Sequence, residues 1–321
     1  MTFYQHWDKD QELTLSYETG DEGPRRCLFC MGPMHGRFCA VCGKERMQMN
    51  GEDDLPAGTV LWNGGSGYLV GRVLGRGGFG ITYLGWDMRF NRKVAVKEFF
   101  HKEYAGRDPL THVEVAAMDK EIYQRELEDF RSEAVKLAQY SDSPETAALI
   151  TCFSANETAY MIMTYVDGIT LEKYVETNGP VSFAQAWHLL DPLMKFLYKI
   201  HQDGLIHRDI SSTNILIDRS GKAVLLDFGA SRQYVKEDTD GYYRQNTEFP
   251  VILRYGFAPP EQYHACSAQT PGTDIYALAA VIYFMITGRV PVRADLREAG
   301  IDLPRPSAIG ADITERQEQA V

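Results

Sequence analysis

The stretch that decides the fold is residues 204–217, GLIHRDISSTNILI, which residues 223–229, AVLLDFG, follow closely. Each stretch combines a short apolar run, typical of a buried strand, with a polar group that contains an aspartate. Before the first stretch, Ser182 and Gln185 form a capping box that predicts the start of a long helix ending near Gln202. This part of the chain therefore predicts a helix, a polar loop and a strand in succession.

A glycine-rich segment lies closer to the N-terminus. Residues 75–80, GRGGFG, stand between two apolar strand patterns, Leu69–Leu74 and Ile81–Trp86. These glycines connect two strands, whereas the dinucleotide-binding fingerprint requires a helix after its glycines. A glycine-rich hairpin can fold over phosphates because no Cβ shields its backbone N–H groups. Taken alone the pattern is weak, and a loose hairpin turn explains it equally well.

A lysine and a glutamate form the next candidate pair. Lys97 lies in the strand pattern of residues 93–100, KVAVKEFF, and a helix is predicted from about Asp119 to Tyr140. Glu133 borders the apolar stripe of that helix, where a carboxylate needs a partner, and Lys97 is the candidate. A surface lysine on an edge strand is the simpler interpretation of Lys97.

Together these segments resemble the eukaryotic-type (Hanks-type) protein kinase family in its bacterial Ser/Thr form. The resemblance runs from about residue 68 to the end and implies an α+β, bilobal protein-kinase fold with a β-rich N-lobe and a helical C-lobe. Asp274 resembles the acidic residue at the start of the family's central buried helix. Five motifs occur in the family's order: the glycine-rich loop, Val-Ala-Val-Lys97, His-Arg-Asp209 with Asn214, Asp227-Phe-Gly, and Ala258-Pro-Pro-Glu261.

The resemblance implies transfer of the γ-phosphoryl group of ATP, with Mg²⁺ or Mn²⁺ as metal. Lys97 would contact the α- and β-phosphates and be held by Glu133. Asn214 and Asp227 would bind the metal, and Asp209 would accept or orient the proton of the substrate hydroxyl. The implied nucleotide-binding residues are Leu74, Gly75, Gly77, Gly78, Phe79, Gly80, Ala95, Lys97, Met163, Thr164, Val166 and Leu216.

The catalytic loop departs from the family in one respect. Ser/Thr kinases carry a lysine two residues after the catalytic aspartate, and here that position is Ser211. The position where the lysine's partner threonine is expected, seven residues before Glu261, is Arg254. We hypothesise that Arg254 reaches across, hydrogen-bonds near Ser211 and Asp209, and supplies the missing positive charge at the γ-phosphate. The alternative is a surface arginine that contacts an acidic substrate.

Arg208 precedes the catalytic aspartate, and in this family an arginine there often binds a phosphorylated activation segment. Thr247, and next Thr239, are the predicted autophosphorylation sites. Autophosphorylation in trans, in which one copy of the chain phosphorylates another, would involve a dimer. The family's C-lobe continues with further helices after the central one, so we expect the chain to be truncated at its C-terminal end.

Four of the six cysteines form one cluster of two Cys-x-x-Cys pairs, Cys27/Cys30 and Cys39/Cys42, with eight residues between them. This spacing suits four thiolates around one tetrahedral Zn²⁺ in a structural site. Redox dithiols or free thiols are the alternative. We expect the other two cysteines to be buried packing residues.

The predicted organisation has a loose acidic arm, a zinc ribbon, a linker and one large domain. The net charge of −11 opposes general binding to nucleic acid or anionic membranes. The longest apolar run, Ile275–Ile286, is too short to cross a bilayer, and residues 1–8 do not resemble a secretory signal, so a cytoplasmic location is expected. The predicted boundaries are 1–24 for the arm, 25–46 for the zinc ribbon, 47–57 for the linker and 58–321 for the kinase domain, with N-lobe 58–166 and C-lobe 167–321.

Two functional classes remain open from the sequence. The first is a Ser/Thr protein kinase acting on protein substrates. The second is a nucleotide-binding pseudokinase or scaffold, which the Ser211 substitution would favour. A small-molecule kinase is less favoured, because residues 227–261 are long enough for a peptide-binding activation segment. The zinc ribbon carries five basic residues, and a ribbon of this size more often docks on protein than on nucleic acid.

Overall fold

The structure, a computed structural model, divides into two compact units. The first comprises the described residues of Met1–Ser141 and Ala148–Tyr165, and the second those of Asp142–Ala147 and Val166–Val321. The described residues are 26–45, 50–78, 80–108, 112–228, 232–233 (backbone only), 253–264 and 267–319.

The first unit is built on a six-stranded antiparallel sheet of order β3-β4-β5-β6-β10-β9. Its central strand, β6, is buried on both faces, since Val94, Ala95 and Val96 are all buried. One long helix, α1, buries Phe130, Glu133 and other residues of its inner face. The elements are β1 Met34–His35, β2 Phe38–Cys39, β3 Val60–Asn63, β4 Ser66–Gly77, β5 Gly80–Asp87, β6 Arg92–Phe99, β7 Ala105–Arg107, β8 Val113–Val115, α1 Lys120–Ala138, β9 Leu149–Ala155 and β10 Thr158–Thr164.

The cysteine-rich segment packs onto this sheet. Leu28 and Met31 are buried in a cluster with Leu84 and Trp86 of β5. The Leu28 carbonyl accepts a 2.8 Å hydrogen bond from the backbone N–H of Arg72 on β4. Burial of two apolar side chains at about 1.5–3 kcal/mol each makes this segment a part of the unit rather than a loose appendage.

The second unit combines helices with three short strands that follow one another as β11-β13-β14. Its central helix, α4, is buried along most of its length and begins at a capping box formed by Thr270 and Thr273. Within the described residues, no helix is long and apolar enough to cross a membrane. The elements are β11 Gly168–Thr170, α2 Leu171–Asn178, α3 Phe183–Gln202, β12 Leu205–Ile206, β13 Ile215–Asp218, β14 Ala223–Leu225, β15 Arg232–Gln233, α4 Pro271–Thr287, α5 Ala294–Glu298 and α6 Glu315–Glu318.

Candidate active site

In the first unit, Lys97 and Glu133 are in direct contact. The Nζ of Lys97 lies 2.9 Å from Oε1 of Glu133, and the two side chains are only 11% and 6% exposed. Strand β6 fixes the lysine through its pairing with Thr82 and Met161, and the ring of Phe130 lies 5.7 Å from the ammonium. The surface-lysine interpretation is therefore wrong. A lysine held this way is a rigid cation for a bound polyanion.

The glycine-rich loop is the turn between β4 and β5. Around Gly75 and Gly78 there is open space, since a Cβ built at either position meets nothing within 4 Å. Gly80 has a different role, because a Cβ there would lie only 2.4 Å from the carbonyl oxygen of Glu98 on β6. The first glycines thus leave the backbone accessible, and Gly80 lets two strands approach. Phe79 lies outside the described residues.

The other implied nucleotide-binding residues belong partly to the first unit and partly to the second. In the first, Met163 of β10 pairs in register with Ala95 of β6. The Thr164 hydroxyl accepts a 2.9 Å hydrogen bond from the backbone N–H of Ala148. In the second unit, Val166 precedes β11 and Leu216 lies on β13.

In the second unit, a hydrogen-bond network surrounds Asp209. The Nδ2 of Asn214 donates to the backbone oxygen of Asp209 at 2.9 Å and to its Oδ2 at 2.7 Å. Arg254 donates from Nε to Oδ1 at 2.7 Å and from Nη2 to Oδ2 at 3.1 Å. Ser211 bonds instead to a neighbour in its own loop, with its Oγ 3.0 Å from Oγ1 of Thr213. The buried carboxylate is thus held by one amide and one bidentate guanidinium, which raises the pKa of Arg254 further.

Asp274, in the first turns of α4, binds the backbone of the loop that contains Asp209. Its carboxylate accepts 2.8 Å hydrogen bonds from the backbone N–H groups of His207 and Arg208 and contacts Nε2 of His201 at 2.7 Å. The side chain of Gln262 donates to the Arg208 carbonyl at 2.9 Å. Arg208 has a positive φ of 71°, a conformation that costs free energy and persists only where the surroundings impose it. These contacts fix the backbone just before Asp209.

His207 is wholly buried and joins this loop to the Asp227-Phe228 turn. Its Nδ1 accepts from the backbone N–H of Asp209 at 3.3 Å, and its ring meets the ring of Phe228 at 4.8 Å between centroids. Burial lowers the pKa of His207 despite the nearby carboxylates, so the imidazole is neutral. Asp227 itself has a φ of 62°, a strained conformation of the kind that clusters at functional sites.

The remaining predicted residues are Glu261 and the two phosphorylation sites. Glu261 accepts a 2.8 Å hydrogen bond from the hydroxyl of Thr273. The predicted phosphorylation sites Thr239 and Thr247 lie outside the described residues. No local pattern in the sequence indicates the roles of His201 and Gln262, because each acts through a partner more than 50 residues away.

The four clustered cysteines converge on one point. Their Sγ atoms all lie within 4.8 Å of one another, with Cys27–Cys42 at 3.6 Å and Cys30–Cys39 at 3.5 Å. A tetrahedral Zn²⁺ with Zn–S bonds of about 2.3 Å requires sulfur separations of about 3.8 Å, so the donor set fits zinc. Backbone N–H groups of Gly32 and Val41 point at the sulfurs of Cys30 and Cys39, as thiolates require.

Known proteins are similar to most of this chain. The protein kinase domain family profile matches residues 68–303. The chain is 35% identical to Serine/threonine-protein kinase F of Synechocystis over 69% of its length, and 32% identical to PknB of Mycobacterium tuberculosis over 71%. The solved structure "PpkA-294 apo form" superposes with a TM-score of 0.67 at 30% identity, covering 84% of this chain and 92% of that one.

The chain therefore belongs to the protein kinase family, and the predicted fold of a β-rich N-lobe and a helical C-lobe is confirmed. Its relatives are serine/threonine-protein kinases of bacteria. The chain spans less than half the length of these curated relatives, 44% and 33% for the two named above.

Proposed function

We propose that this protein is an ATP-dependent serine/threonine protein kinase. The observation that carries the proposal is the network around Asp209, a buried carboxylate oriented by Asn214 and by the guanidinium of Arg254. A carboxylate fixed in this way suits the acceptance of a proton from a hydroxyl during attack on a phosphoryl group. Names of the relatives support Ser/Thr acceptors, and they disfavour a pseudokinase.

Each residue has a proposed part in the transfer. Lys97, held by Glu133, holds the α- and β-phosphates, and the glycine-rich loop covers the phosphates with backbone N–H groups. Asn214 and Asp227 hold Mg²⁺, which neutralises charge on the β- and γ-phosphates when bound. The fit is supported by Asn214, because both of its hydrogen bonds to Asp209 use the amide nitrogen and leave the amide oxygen for a metal.

The acceptor class is tested by incubation of the purified chain with γ-labelled ATP, Mg²⁺ and a generic acceptor such as casein. Phosphoamino-acid analysis is expected to return labelled phosphoserine and phosphothreonine, in the acceptor and in the chain itself. Peptide mapping tests Thr247 and Thr239, and dilution of the enzyme tests whether self-labelling occurs between two copies. Label found only on tyrosine, or nucleotide binding with no transfer, would contradict the proposal.

The four-cysteine segment is proposed to be a structural zinc ribbon, within the boundaries given above, that packs on the sheet of the first unit. The support is the convergence of the four sulfurs and the packing of Leu28 and Met31 on the sheet. With four protein ligands no position is left for a substrate, so the metal supplies folding free energy and no catalysis.

Loss of the metal is expected to destabilise the first unit. Elemental analysis should give one zinc per chain, and Cys30→Ser should lose it and lower the stability by about 3 kcal/mol, because Leu28 and Met31 become exposed. Cys152→Ser is the matched control, since burial raises the pKa of that thiol to about 12 and it lies outside the cluster. Far less than one equivalent of zinc in native protein, with Cys30→Ser as stable as wild type, would exclude the site.

A further inference from the structure

The segment that leads from the cysteine cluster to β3 is anchored on the sheet of the first unit. Leu55 is fully buried, and its backbone N–H donates to the hydroxyl of Tyr83 on β5 at 3.0 Å. The backbone oxygen of Asp53 accepts from Nε of Arg107 at 3.0 Å. The side chain of Asn50 donates to the carbonyls of Leu55 and Gly71 at 2.7 and 3.0 Å. Three separate contacts therefore fix the backbone on both sides of Asp54.

Two residues that hold this segment, Tyr83 and Arg107, both bind the buried carboxylate of Glu98. The Tyr83 hydroxyl donates to Oε2 of Glu98 at 2.9 Å, and Arg107 binds both oxygens of that carboxylate at 2.8 and 2.9 Å. Glu98 is the residue next to Lys97 on β6. A buried network of this kind is rigid, because removal of either Glu98 or Arg107 leaves an uncompensated buried charge.

From this rigid base, Asp54 reaches the glycine-rich loop. Its side chain is 2% exposed. Oδ1 accepts a 3.1 Å hydrogen bond from Nε of Arg76, and Oδ2 accepts one from Nη2 of the same guanidinium. The backbone N–H of Gly51 also donates to Oδ2. Arg76 stands between Gly75 and Gly77, and a Cβ built at Gly75 meets nothing within 4 Å. The ion pair thus ties the loop to the segment that precedes β3.

We propose that Asp54 is a positioning residue for the glycine-rich loop and acts through Arg76 to raise the affinity for the nucleotide phosphates. The inference rests on the proposed kinase function. Glycines lose more conformational freedom on ordering than any other residue, so a loop of this composition weakens nucleotide binding unless something orders it beforehand. A bidentate pair with a buried carboxylate on a rigid base orders it in the free enzyme.

The test measures the dissociation constant of MgADP by calorimetry for the full chain and for three variants. Asp54→Asn and Arg76→Gln are each expected to raise the dissociation constant about 3- to 10-fold. The reason is that a partly buried bidentate ion pair contributes more free energy than an exposed one. The double variant should match the single ones, since either change removes the same interaction. In transfer assays KM for ATP should rise by the same factor with kcat unchanged. Glu52→Gln removes an exposed charge from the same segment and is the control.

Each outcome is decisive. Arg76 is 56% exposed, so Arg76→Gln disturbs the packing less than a change at the buried position 54 does. Wild-type affinity in Arg76→Gln would overturn the positioning role and leave the kinase proposal intact. Additive effects in the double variant would also overturn it, because Arg76 would then bind the nucleotide directly. A wild-type chain that neither binds MgADP nor transfers phosphate would contradict the kinase function, and this inference with it.

Discussion

Arg254→Ala is expected to lower kcat by about 100-fold or more while the affinity for ATP stays nearly unchanged. Stabilisation of developing charge by one fixed donor is typically worth a factor of about 10²–10³ in rate. The catalytic loop has Ser211 where the family's lysine is expected, and Arg254 is the cation that contacts Asp209. A guanidinium is always charged and can bind two oxygens at once, so it can replace an ammonium at this place. Single-turnover kinetics with saturating MgATP give the value.

Rescue separates this role from a merely structural one. Ser211→Lys in the Arg254→Ala background should restore part of kcat, since it returns a cation two residues after Asp209. Arg219→Ala removes an exposed arginine of the same unit that pairs with Asp167, and it should leave kcat unchanged. If Arg254 instead recognises an acidic substrate, KM for an acidic peptide will rise and kcat will not fall. A near-normal kcat in Arg254→Ala would refute the catalytic role.

A catalytic role for Arg254 would also link activity to the activation segment. Arg254 lies shortly before Ala258-Pro-Pro-Glu261 and binds Asp209, which is 45 positions earlier in the chain. If Arg254 supplies this charge, activity requires that the segment carrying it be ordered. Self-phosphorylation within residues 230–258 is expected to raise kcat more than it lowers KM for ATP.

Local patterns made much of this molecule predictable. Alternating apolar residues and the position of Glu133 on its helix were enough to predict a partner for Lys97, and the two side chains are in contact. Strand limits were less predictable, because β4 extends over Ser66–Gly77 and includes glycines that disfavour strands. Pairing with β5 overrides that local preference.

The supporting contacts could not be predicted. Asp274 accepts hydrogen bonds from the backbone of His207 and Arg208, which precede it by 67 and 66 positions. Asp54 binds Arg76, which follows it by 22 positions. Neither aspartate stands in a pattern that indicates its partner, because such pairings are set by the way the chain folds back on itself. A buried aspartate looks the same in a sequence as an exposed one.

The most direct test of the account compares wild type with Asp209→Asn in transfer from γ-labelled MgATP. The amide keeps the size of the carboxylate but cannot accept the hydroxyl proton, and loss of a general base typically costs about 10²–10⁴-fold in rate. We expect incorporation of label into protein by wild type, a loss of that size in Asp209→Asn, and similar MgADP affinity in both. Equal incorporation by the two proteins, or none by wild type under conditions where it binds MgADP, would contradict it.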